Sequence, residues 1–222
     1  MVGDWDLTPD NSRKERLGFD ETVFCASKTT DQINRLLQAA ADAGETLLLT
    51  RLEPDKHAAL SVELHARLDY DEISLTAMLG RSRQREEAPH VAIVSAGSSD
   101  VRVAREAART LDYYGVGVHE IYDVGVAGLW RLLERVDELR PLPVVITVAG
   151  MEGTLPSVVA GLVPGVVIAV PVATGYGVAA NGVTALHSAL ASCAPGLLVV
   201  NVDNGYGAGC AALRILNVMQ RS

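Results

Sequence analysis

Three apolar runs in the second half of the chain constrain the fold more than any other feature of the sequence. They occupy residues 144 to 148, 165 to 170 and 197 to 202, and Val, Ile and Leu dominate each of them. Runs that are apolar at almost every position are typical of parallel strands whose sheet is covered by helices on both faces. The sequence therefore predicts buried parallel strands, each opening into a turn rich in Gly, Asn, Asp or Thr.

The same alternation extends back to residue 90 and predicts five βα units. Helical periodicity separates the apolar runs, which indicates crossover helices that would be right-handed by default. We expect a doubly wound parallel sheet, a flavodoxin-like three-layer αβα domain. The predicted strands cover residues 91 to 95, 116 to 121, 144 to 148, 165 to 170 and 197 to 202, and the predicted helices cover residues 99 to 114, 126 to 139, 155 to 162, 180 to 191 and 206 to 219.

The first third of the chain is less regular and predicts a small α/β extension. A charged run at residues 81 to 89 reads as a solvated linker, so we place the domain boundary there. The two parts are then residues 1 to 85, which we expect to cover the active site, and residues 86 to 222, the catalytic domain. Within the extension we predict an irregular arm over residues 1 to 30, a helix over 30 to 44, a strand over 46 to 50 and short helices over 53 to 65 and 71 to 79.

Charge and composition exclude several classes of partner. The formal net charge is −8 and the isoelectric point is about 5.1, which argues against nucleic acid or an anionic membrane as a partner. Three cysteines, Cys25, Cys193 and Cys210, have no disulfide or zinc spacing and predict free thiols. The polar, acidic start does not resemble a signal peptide, so we expect a cytoplasmic protein.

The turns that follow the predicted strands predict the position of a binding site. Ligands of open α/β sheets bind outside the carboxyl ends of the strands, where residues 149 to 153, 173 to 177 and 203 to 207 should form one pocket. The first βα turn, residues 95 to 100, offers Gly97 and two serines at a helix N-terminus. Such a turn suits a phosphate group, although Ser and Asp are also ordinary helix caps.

Taken together, these segments carry a family resemblance. VSAGSSD, AGMEGTLPSVVAGL, PVATGYGVAANGVTALHSAL and CAPGLLVVNVDNGYGAGCAALRIL resemble, in order and spacing, the PurE family of AIR carboxylases, whose motifs read GSxSD, AGGAAHLPGMVA and NAALLAVRIL. The chain resembles even more closely the LarB proteins of nickel-pincer nucleotide cofactor biosynthesis, which carry an extra N-terminal region. The resemblance is strong over residues 90 to 217 and loose over residues 10 to 80.

Differences from PurE favour the LarB resemblance. PurE enzymes use a His in the turn after the second strand, whereas YDVGVAG at residues 122 to 128 contains none. Glu152 and Cys193 stand where PurE has neutral groups, and the matching Glu and Cys of LarB proteins are the chemical pair. In the arm, Arg16, Gly18 and Lys28 match LarB, but VFCASK replaces VFGEGK. The exact nucleotide substrate therefore stays open.

The resemblance implies carboxylation of the pyridinium ring of nicotinic acid adenine dinucleotide with cleavage of its phosphoanhydride. The products would be pyridinium-3,5-biscarboxylic acid mononucleotide and AMP, formed through a covalent cysteine adduct. Two alternatives remain: a PurE-like carboxylase or mutase for an imidazole or related pyridinium nucleotide, and a nucleotide-binding module without catalysis. CO₂ or bicarbonate would be the co-substrate, with no tightly bound cofactor or structural metal, and Mg²⁺ on the substrate phosphates is compatible with this chemistry.

The resulting hypothesis assigns eighteen site residues. Cys193 and Glu152 are the candidate catalytic residues. The candidate substrate-binding residues are Ser95, Gly97, Ser98, Ser99, Asp100, Gly150, Met151, Gly153, Thr174, Gly175, Tyr176, Asn181, Asn201, Asp203, Asn204 and Lys28.

The placement of Cys193 predicts an assembly. This thiol follows a predicted helix and precedes a predicted strand, at the rim opposite the carboxyl ends. Its own subunit's pocket would then lie on the other side, so we expect a neighbouring subunit to complete the site. The apolar last helix and the resemblance to PurE both favour a homo-oligomer, an octamer by family.

Overall fold

A computed structural model describes residues 13 to 84 and 88 to 220, apart from the side chain of Lys14. The helices are α1 (Arg13–Leu17), α2 (Thr30–Asp42), α3 (Pro54–Ala58), α4 (Val62–Arg67), α5 (Val101–Tyr113), α6 (Leu129–Leu133), α7 (Val136–Leu139), α8 (Leu155–Ala160), α9 (Val183–Leu190) and α10 (Gly205–Met219). The strands are β1 (Thr22–Phe24), β2 (Leu47–Thr50), β3 (Asp69–Asp71), β4 (Thr76–Leu79), β5 (Pro89–Ser95), β6 (Gly117–Ile121), β7 (Val144–Ala149), β8 (Val166–Pro171) and β9 (Leu198–Val199).

A five-stranded parallel sheet of order β6-β5-β7-β8-β9 forms the centre of the second domain. The strand β7 is buried at all six positions because helices cover both faces of the sheet, as its apolar run predicts. Helices α5 and α10 pack on one face, and α6, α7 and α8 pack on the other. The predicted three-layer α/β fold is confirmed.

Strand order places the switch point between β5 and β7. The chain leaves β5 for β6 on one side and later returns to β7 on the other side of β5. The carboxyl ends of these two strands, at Ser95 and Ala149, therefore border the crevice in which ligands of doubly wound sheets bind.

The N-terminal part contains its own four-stranded sheet, of order β1-β2-β4-β3. The helix expected over residues 71 to 79 is wrong: this segment contains the strand β4, which pairs antiparallel with β2. A four-residue apolar run cannot be assigned by periodicity alone, and Leu75, with a left-handed φ of 56°, interrupts any helix there. The expected irregular arm likewise contains α1 and β1, within the described residues.

The helix expected over residues 126 to 139 is divided into the short helices α6 and α7. Two boundaries near the edge of the parallel sheet also differ from the prediction. The strand expected over residues 197 to 202 is reduced to the two residues of β9, after which Val200 donates one more bond to the Ala169 carbonyl at 3.0 Å. The helix expected from residue 180 begins at Val183, because Asn181 adopts a left-handed φ of 62°. Both differences lie at the edge of the sheet, where fewer neighbours enforce regular structure.

The N-terminal sheet packs against α5 and α10 of the second domain. Phe19, Leu48 and Met78 belong to the same buried cluster as Tyr113 and Tyr114. Ion pairs surround this apolar contact and connect arginines of α5 to acidic residues of the N-terminal part. The two sheets therefore share one buried cluster, while the N-terminal part also has a separate cluster of its own.

In the part of the chain that the structure describes, no helix combines the length and apolar character needed to cross a bilayer.

Candidate active site at the carboxyl edge of the parallel sheet

The turns after β5, β7 and β8 are tied together by one buried carboxylate. Asp100 is 4% exposed and accepts a hydrogen bond of 2.9 Å from the Gly97 amide. It also bonds to the Gly150 amide and the Thr174 hydroxyl. Burial raises the pKa of Asp100, although these three bonds oppose the shift. Asp100, a predicted substrate-binding residue, thus also connects these turns to one another.

Backbone contacts close the same turns tightly. The Met151 amide donates to the Thr174 carbonyl at 2.9 Å, and a Cβ at Gly150 would clash with that carbonyl. Met151 and Gly153 both have left-handed φ angles, of 52° and 63°. A non-glycine residue in this region persists only where its surroundings impose it, and such residues cluster at functional sites.

Asp203 plays a similar part after β9. Its Oδ1 accepts from the Ala173 amide at 3.0 Å, and its own amide donates to the Pro171 carbonyl at 2.8 Å. Its φ is 56°. Asn204 caps α10, since its Oδ1 accepts from the Gly207 amide at 2.8 Å. These two predicted ligands thus fix the turn at residues 173 to 177 and the start of α10.

The remaining predicted binding residues divide by exposure. Ser95 is fully buried, and its hydroxyl donates to the Gly97 carbonyl at 3.3 Å, so its side chain faces the interior. Gly175 is partly buried, and a Cβ there would crowd the Ala179 carbonyl. The side chains that this edge exposes to solvent, and to any ligand bound there, are those of Ser98, Ser99, Met151, Glu152, Thr174, Tyr176, Asn181 and Asn201.

Cys193 lies in a different place. It is an exposed free thiol in the loop between α9 and β9. Leu198 pairs with Ile168 of β8, so this loop borders the amino half of the sheet, as the sequence predicts. A pocket of about 420 Å³ is lined by residues 189, 190 and 192 to 199 and includes Cys193.

Glu152 and Cys193 lie along the same pair of helices without meeting. The turn that holds Glu152 packs closely on Ala185 of α9. A Cβ added to Gly153 would lie only 2.8 Å from the Cα of Ala185. At the other end, the Ser157 hydroxyl of α8 hydrogen-bonds the Ser192 hydroxyl at 2.7 Å. The part of α9 from Ala185 to its end at Leu190 separates the Glu152 turn from the Cys193 loop, and it is about 7.5 Å long at 1.5 Å per residue.

The other two thiols are protected. Cys25 is buried, and burial raises its pKa to about 12 despite the charges of Lys56 and Lys28. Burial also raises the pKa of Cys210, although a hydrogen bond with Tyr206 opposes it. Cys193 is thus the one exposed cysteine of this chain, all three cysteines being among the described residues.

Lys28 belongs to a turn that a second lysine braces. The ammonium of Lys56 donates to the carbonyls of Cys25, Ala26 and Lys28, at 2.8, 2.9 and 2.8 Å. This turn lies next to the end of β2, since the Cys25 amide donates to the Thr50 carbonyl at 2.9 Å. Lys28 itself is partly buried.

Glu106 is a polar residue that the sequence analysis missed. It is 2% exposed in α5, and its Oε1 accepts from Arg51 Nε at 3.0 Å. The signal was present, because Glu106 occupies a core position between Val103 and Thr110 in the helical pattern. A charged residue at such a position is almost never buried without a partner.

No group of three His, Cys, Asp or Glu side chains within residues 13 to 84 and 88 to 220 has the geometry to hold a metal ion.

Two family models together match nearly the whole chain. The family model described as AIR carboxylase covers residues 90 to 222, and the one described as LarB/PurE-like N-terminal domain covers residues 6 to 81. The two matches correspond to the parallel sheet and the four-stranded sheet.

Individual relatives agree with these matches. An uncharacterized protein of Methanocaldococcus jannaschii is 35% identical over 97% of this chain and 86% of its own length. The N5-carboxyaminoimidazole ribonucleotide mutase of Pyrococcus horikoshii is 34% identical over 60% of this chain and 76% of its own length, and that of Thermotoga maritima is 30% identical over 59% and 76%. The mutases thus match about three fifths of the chain, whereas the relative from Methanocaldococcus jannaschii matches nearly all of it. The chain belongs to the AIR carboxylase family as a member of LarB type.

Proposed function

We propose that this protein carboxylates the pyridinium ring of nicotinic acid adenine dinucleotide and cleaves its phosphoanhydride. The products would be pyridinium-3,5-biscarboxylic acid mononucleotide and AMP, as in nickel-pincer cofactor biosynthesis. The observation that carries the proposal is the exposed free thiol of Cys193 in a pocket, at the position where LarB proteins have their cysteine. The N-terminal domain match over residues 6 to 81 supports the same assignment.

A thiol solves the central chemical difficulty of this reaction. A pyridinium ring is electrophilic and does not attack CO₂. Addition of the Cys193 thiolate next to carbon 5 forms a C–S bond and turns the ring into an enamine-like dihydropyridine, whose carbon 5 is nucleophilic. Carbon 5 then attacks CO₂ and forms the new C–C bond. Loss of the proton from carbon 5 and expulsion of the thiolate restore the aromatic ring, so the carboxylation is balanced without an oxidant.

Glu152 is the candidate base for this sequence of steps. Its carboxylate is exposed in the turn after β7, between Met151 and Gly153, which both have left-handed φ angles. It would accept the proton of the Cys193 thiol or the proton released from carbon 5. Within one chain, about 7.5 Å of α9 lies between the Glu152 turn and the Cys193 loop, which is more than the hydrogen-bond distance over which a proton is transferred directly.

The carboxyl edge supplies the nucleotide site in this proposal. The exposed hydroxyls of Ser98 and Ser99 lie just before α5, whose N-terminal amides favour phosphate. Lys28, in its braced turn, is the candidate cation from the N-terminal domain. Mg²⁺ would bind through the substrate phosphates, with CO₂ or bicarbonate as co-substrate.

A second subunit would bring the thiol and the carboxylate together. Apolar side chains are exposed around α9 and along the free edge of β9: Tyr176, Val178, Val183, Leu190 and Leu198. Such a patch, next to an edge strand, is typical of a protein interface. We therefore propose a homo-oligomer, an octamer by family, in which Cys193 of one chain serves the nucleotide site of another.

The experiment that tests this proposal uses ¹³C-labelled bicarbonate and mass spectrometry. Nicotinic acid adenine dinucleotide should yield AMP and a pyridinium mononucleotide that carries the label. Aminoimidazole ribonucleotide serves as the competing substrate. Label in an imidazole product, with the dinucleotide untouched, would reject the proposal.

The competing activity has a specific observation in its favour. Several relatives of the second domain are N5-carboxyaminoimidazole ribonucleotide mutases, at 30 to 35% identity. The turn after β6, residues 122 to 128, contains no His, however. A PurE-like activity would need another residue to move the substrate proton.

A further inference from the structure

Arg51 connects the N-terminal domain to the edge of the parallel sheet. It directly follows β2, and its side chain is 23% exposed. Its Nε donates to Glu106 Oε1 at 3.0 Å, and its Nη2 donates to the backbone carbonyl of Asp203. Its φ of 54° is left-handed, a conformation that a non-glycine residue keeps only where its surroundings impose it.

The acceptor of this contact, the Glu106 carboxylate, is buried and held by a second hydrogen bond. Glu106 is 2% exposed, and its second oxygen accepts from the Tyr206 amide at 3.3 Å. The residue before Tyr206 is Gly205, which packs closely against α5. A Cβ at this position would clash with the Val103 carbonyl and lie 2.9 Å from Glu106 Oε2, so the position requires glycine. The carboxylate thus holds both Arg51 and the first turn of α10.

Asp203 passes this constraint to the nucleotide site. Its backbone is held by Arg51, and its carboxylate accepts from the Ala173 amide at 3.0 Å, at the start of the turn over residues 173 to 177. Thr174 in that turn bonds to Asp100, which ties the turns after β5 and β7. One chain of contacts therefore runs from Arg51 to three of the turns that border the switch point.

We propose that Arg51 is a positioning residue of the nucleotide site. By binding Glu106 and the Asp203 carbonyl, the N-terminal domain fixes the turn over residues 173 to 177 in the conformation that receives a nucleotide. Its guanidinium acts through Asp203 and touches no substrate. The inference deepens the proposed function and rests on it for the identity of the nucleotide.

The test must separate positioning from stability. Arg51→Met alone leaves Glu106 buried without its cation, which destabilises the fold. The double variant Arg51→Met/Glu106→Gln removes both charges, while the Gln oxygen can still accept from the Tyr206 amide. Arg51→Lys is the second variant, because it keeps the charge but loses the fork that binds two acceptors. Arg109→Met is the matched control: it breaks another ion pair between the domains, with Asp69, away from these turns.

Two readouts apply to all variants in the full-length protein. Hydrogen exchange of a peptide covering residues 172 to 177 reports on the Ala173 amide. The affinity for nicotinic acid adenine dinucleotide and the turnover with labelled bicarbonate report on the site. In the double variant and in Arg51→Lys we expect exchange to accelerate about tenfold or more and affinity to fall about tenfold, the effect of one lost charge-assisted contact. Arg109→Met should match the wild type in both.

The outcomes separate this inference from the proposed function. Unchanged exchange and unchanged affinity in both Arg51 variants would overturn the positioning role, even if the wild type carboxylates the dinucleotide. Accelerated exchange in both Arg51 variants, combined with a wild type that does not act on the dinucleotide, would support positioning and reject the proposed function. A loss equal in Arg109→Met would show that any contact between the domains has the same effect, which also overturns the inference.

Discussion

The carboxyl edge of the parallel sheet and the Cys193 loop differ in how the fold holds them. At the carboxyl edge, the buried Asp100 and the bound Asp203 connect turns from four strands, and the N-terminal domain adds Arg51. Apart from backbone bonds to the end of α9, the loop between α9 and β9 has one described hydrogen bond to another helix, from Ser192 to Ser157 of α8. Its thiol faces solvent.

This difference suggests a division of labour. The braced region is preorganised, as expected of a site that recognises a ligand by fixed hydrogen-bonding groups. The Cys193 loop presents a nucleophile in a pocket without the base it needs nearby. Binding should therefore depend on the first region and chemistry on the second, with the assembly joining them.

Replacing Cys193 with Ser should separate binding from chemistry most strongly. We expect turnover to fall by about 1,000-fold or more, because a serine alkoxide is far harder to generate than a thiolate. The affinity for the dinucleotide should stay within about threefold of the wild-type value, a difference below 1 kcal/mol. Calorimetry and the labelled bicarbonate assay measure the two quantities, and Cys210→Ser is the control. Equal losses of affinity and turnover would contradict the division.

Thiol labelling should distinguish the open loop from the core. We expect N-ethylmaleimide to modify Cys193 at least about 100-fold faster than Cys25 or Cys210, because the reactive species is the thiolate and burial raises the pKa of both other cysteines. Peptide mass spectrometry over a time course measures the three rates. Labelling of Cys25 at the rate of Cys193 would show that the N-terminal core opens readily.

Removing the Asp100 carboxylate should damage the braced region. Asp100→Ala leaves the Gly97 and Gly150 amides and the Thr174 hydroxyl without an acceptor. The free energy of unfolding should drop by about 2 to 3 kcal/mol. The affinity for the dinucleotide should fall about 30-fold, because the turns would no longer be held in fixed positions relative to one another. Asp100→Asn keeps one acceptor and should lose less. Wild-type affinity in Asp100→Ala would mean that the turns hold their shape without this carboxylate.

Acid should weaken the contact between the domains slightly. Burial alone would raise the pKa of Asp71, but hydrogen bonds from Arg105 and Ser74 outweigh it and hold the pKa below its usual 3.8. A lowered pKa contributes stability above pH 3.8 that is lost as the pH falls through the folded value.

The pair is partly exposed, so the effect is about 0.5 to 1 kcal/mol. Between pH 5 and pH 3, the unfolding midpoint should fall about 1 to 3 °C more in the wild type than in Asp71→Asn. Asp137→Asn, at a surface pair with Arg140, is the control. An identical decrease of the unfolding midpoint in the wild type and in Asp71→Asn would show that Asp71 does not contribute to this pH dependence.

The fold of the second domain could be predicted because its strands are buried on both faces. The run at residues 144 to 148 has no alternative to a central strand, and β7 occupies residues 144 to 149. The N-terminal sheet was harder to predict, since β1 and β4 have only three and four residues. β1 pairs with β2, and β4 pairs with both β2 and β3. Such pairing is a tertiary effect that local periodicity does not contain.

The location of the candidate site could be predicted, whereas the contacts of its polar side chains could not. Glycine-rich turns after apolar runs predict where a ligand binds, but they do not tell which polar side chains the fold itself uses. Asp203 is predicted as a ligand, and the sequence does not show that its Oδ1 also accepts from the Ala173 amide. Glu106 was not predicted, and its partner Arg51 is 55 residues away in sequence. Contacts of this range require the packed structure.

The central claim is that Cys193 adds to a pyridinium ring. The most direct measurement is the ultraviolet spectrum of the wild type and Cys193→Ser incubated with NAD, whose amide-bearing ring accepts the thiol but is not expected to complete the reaction. The wild type should develop an absorption band of dihydropyridine type that Cys193→Ser lacks. The same band in both proteins, or full turnover of the dinucleotide by Cys193→Ser, would remove this cysteine from the mechanism.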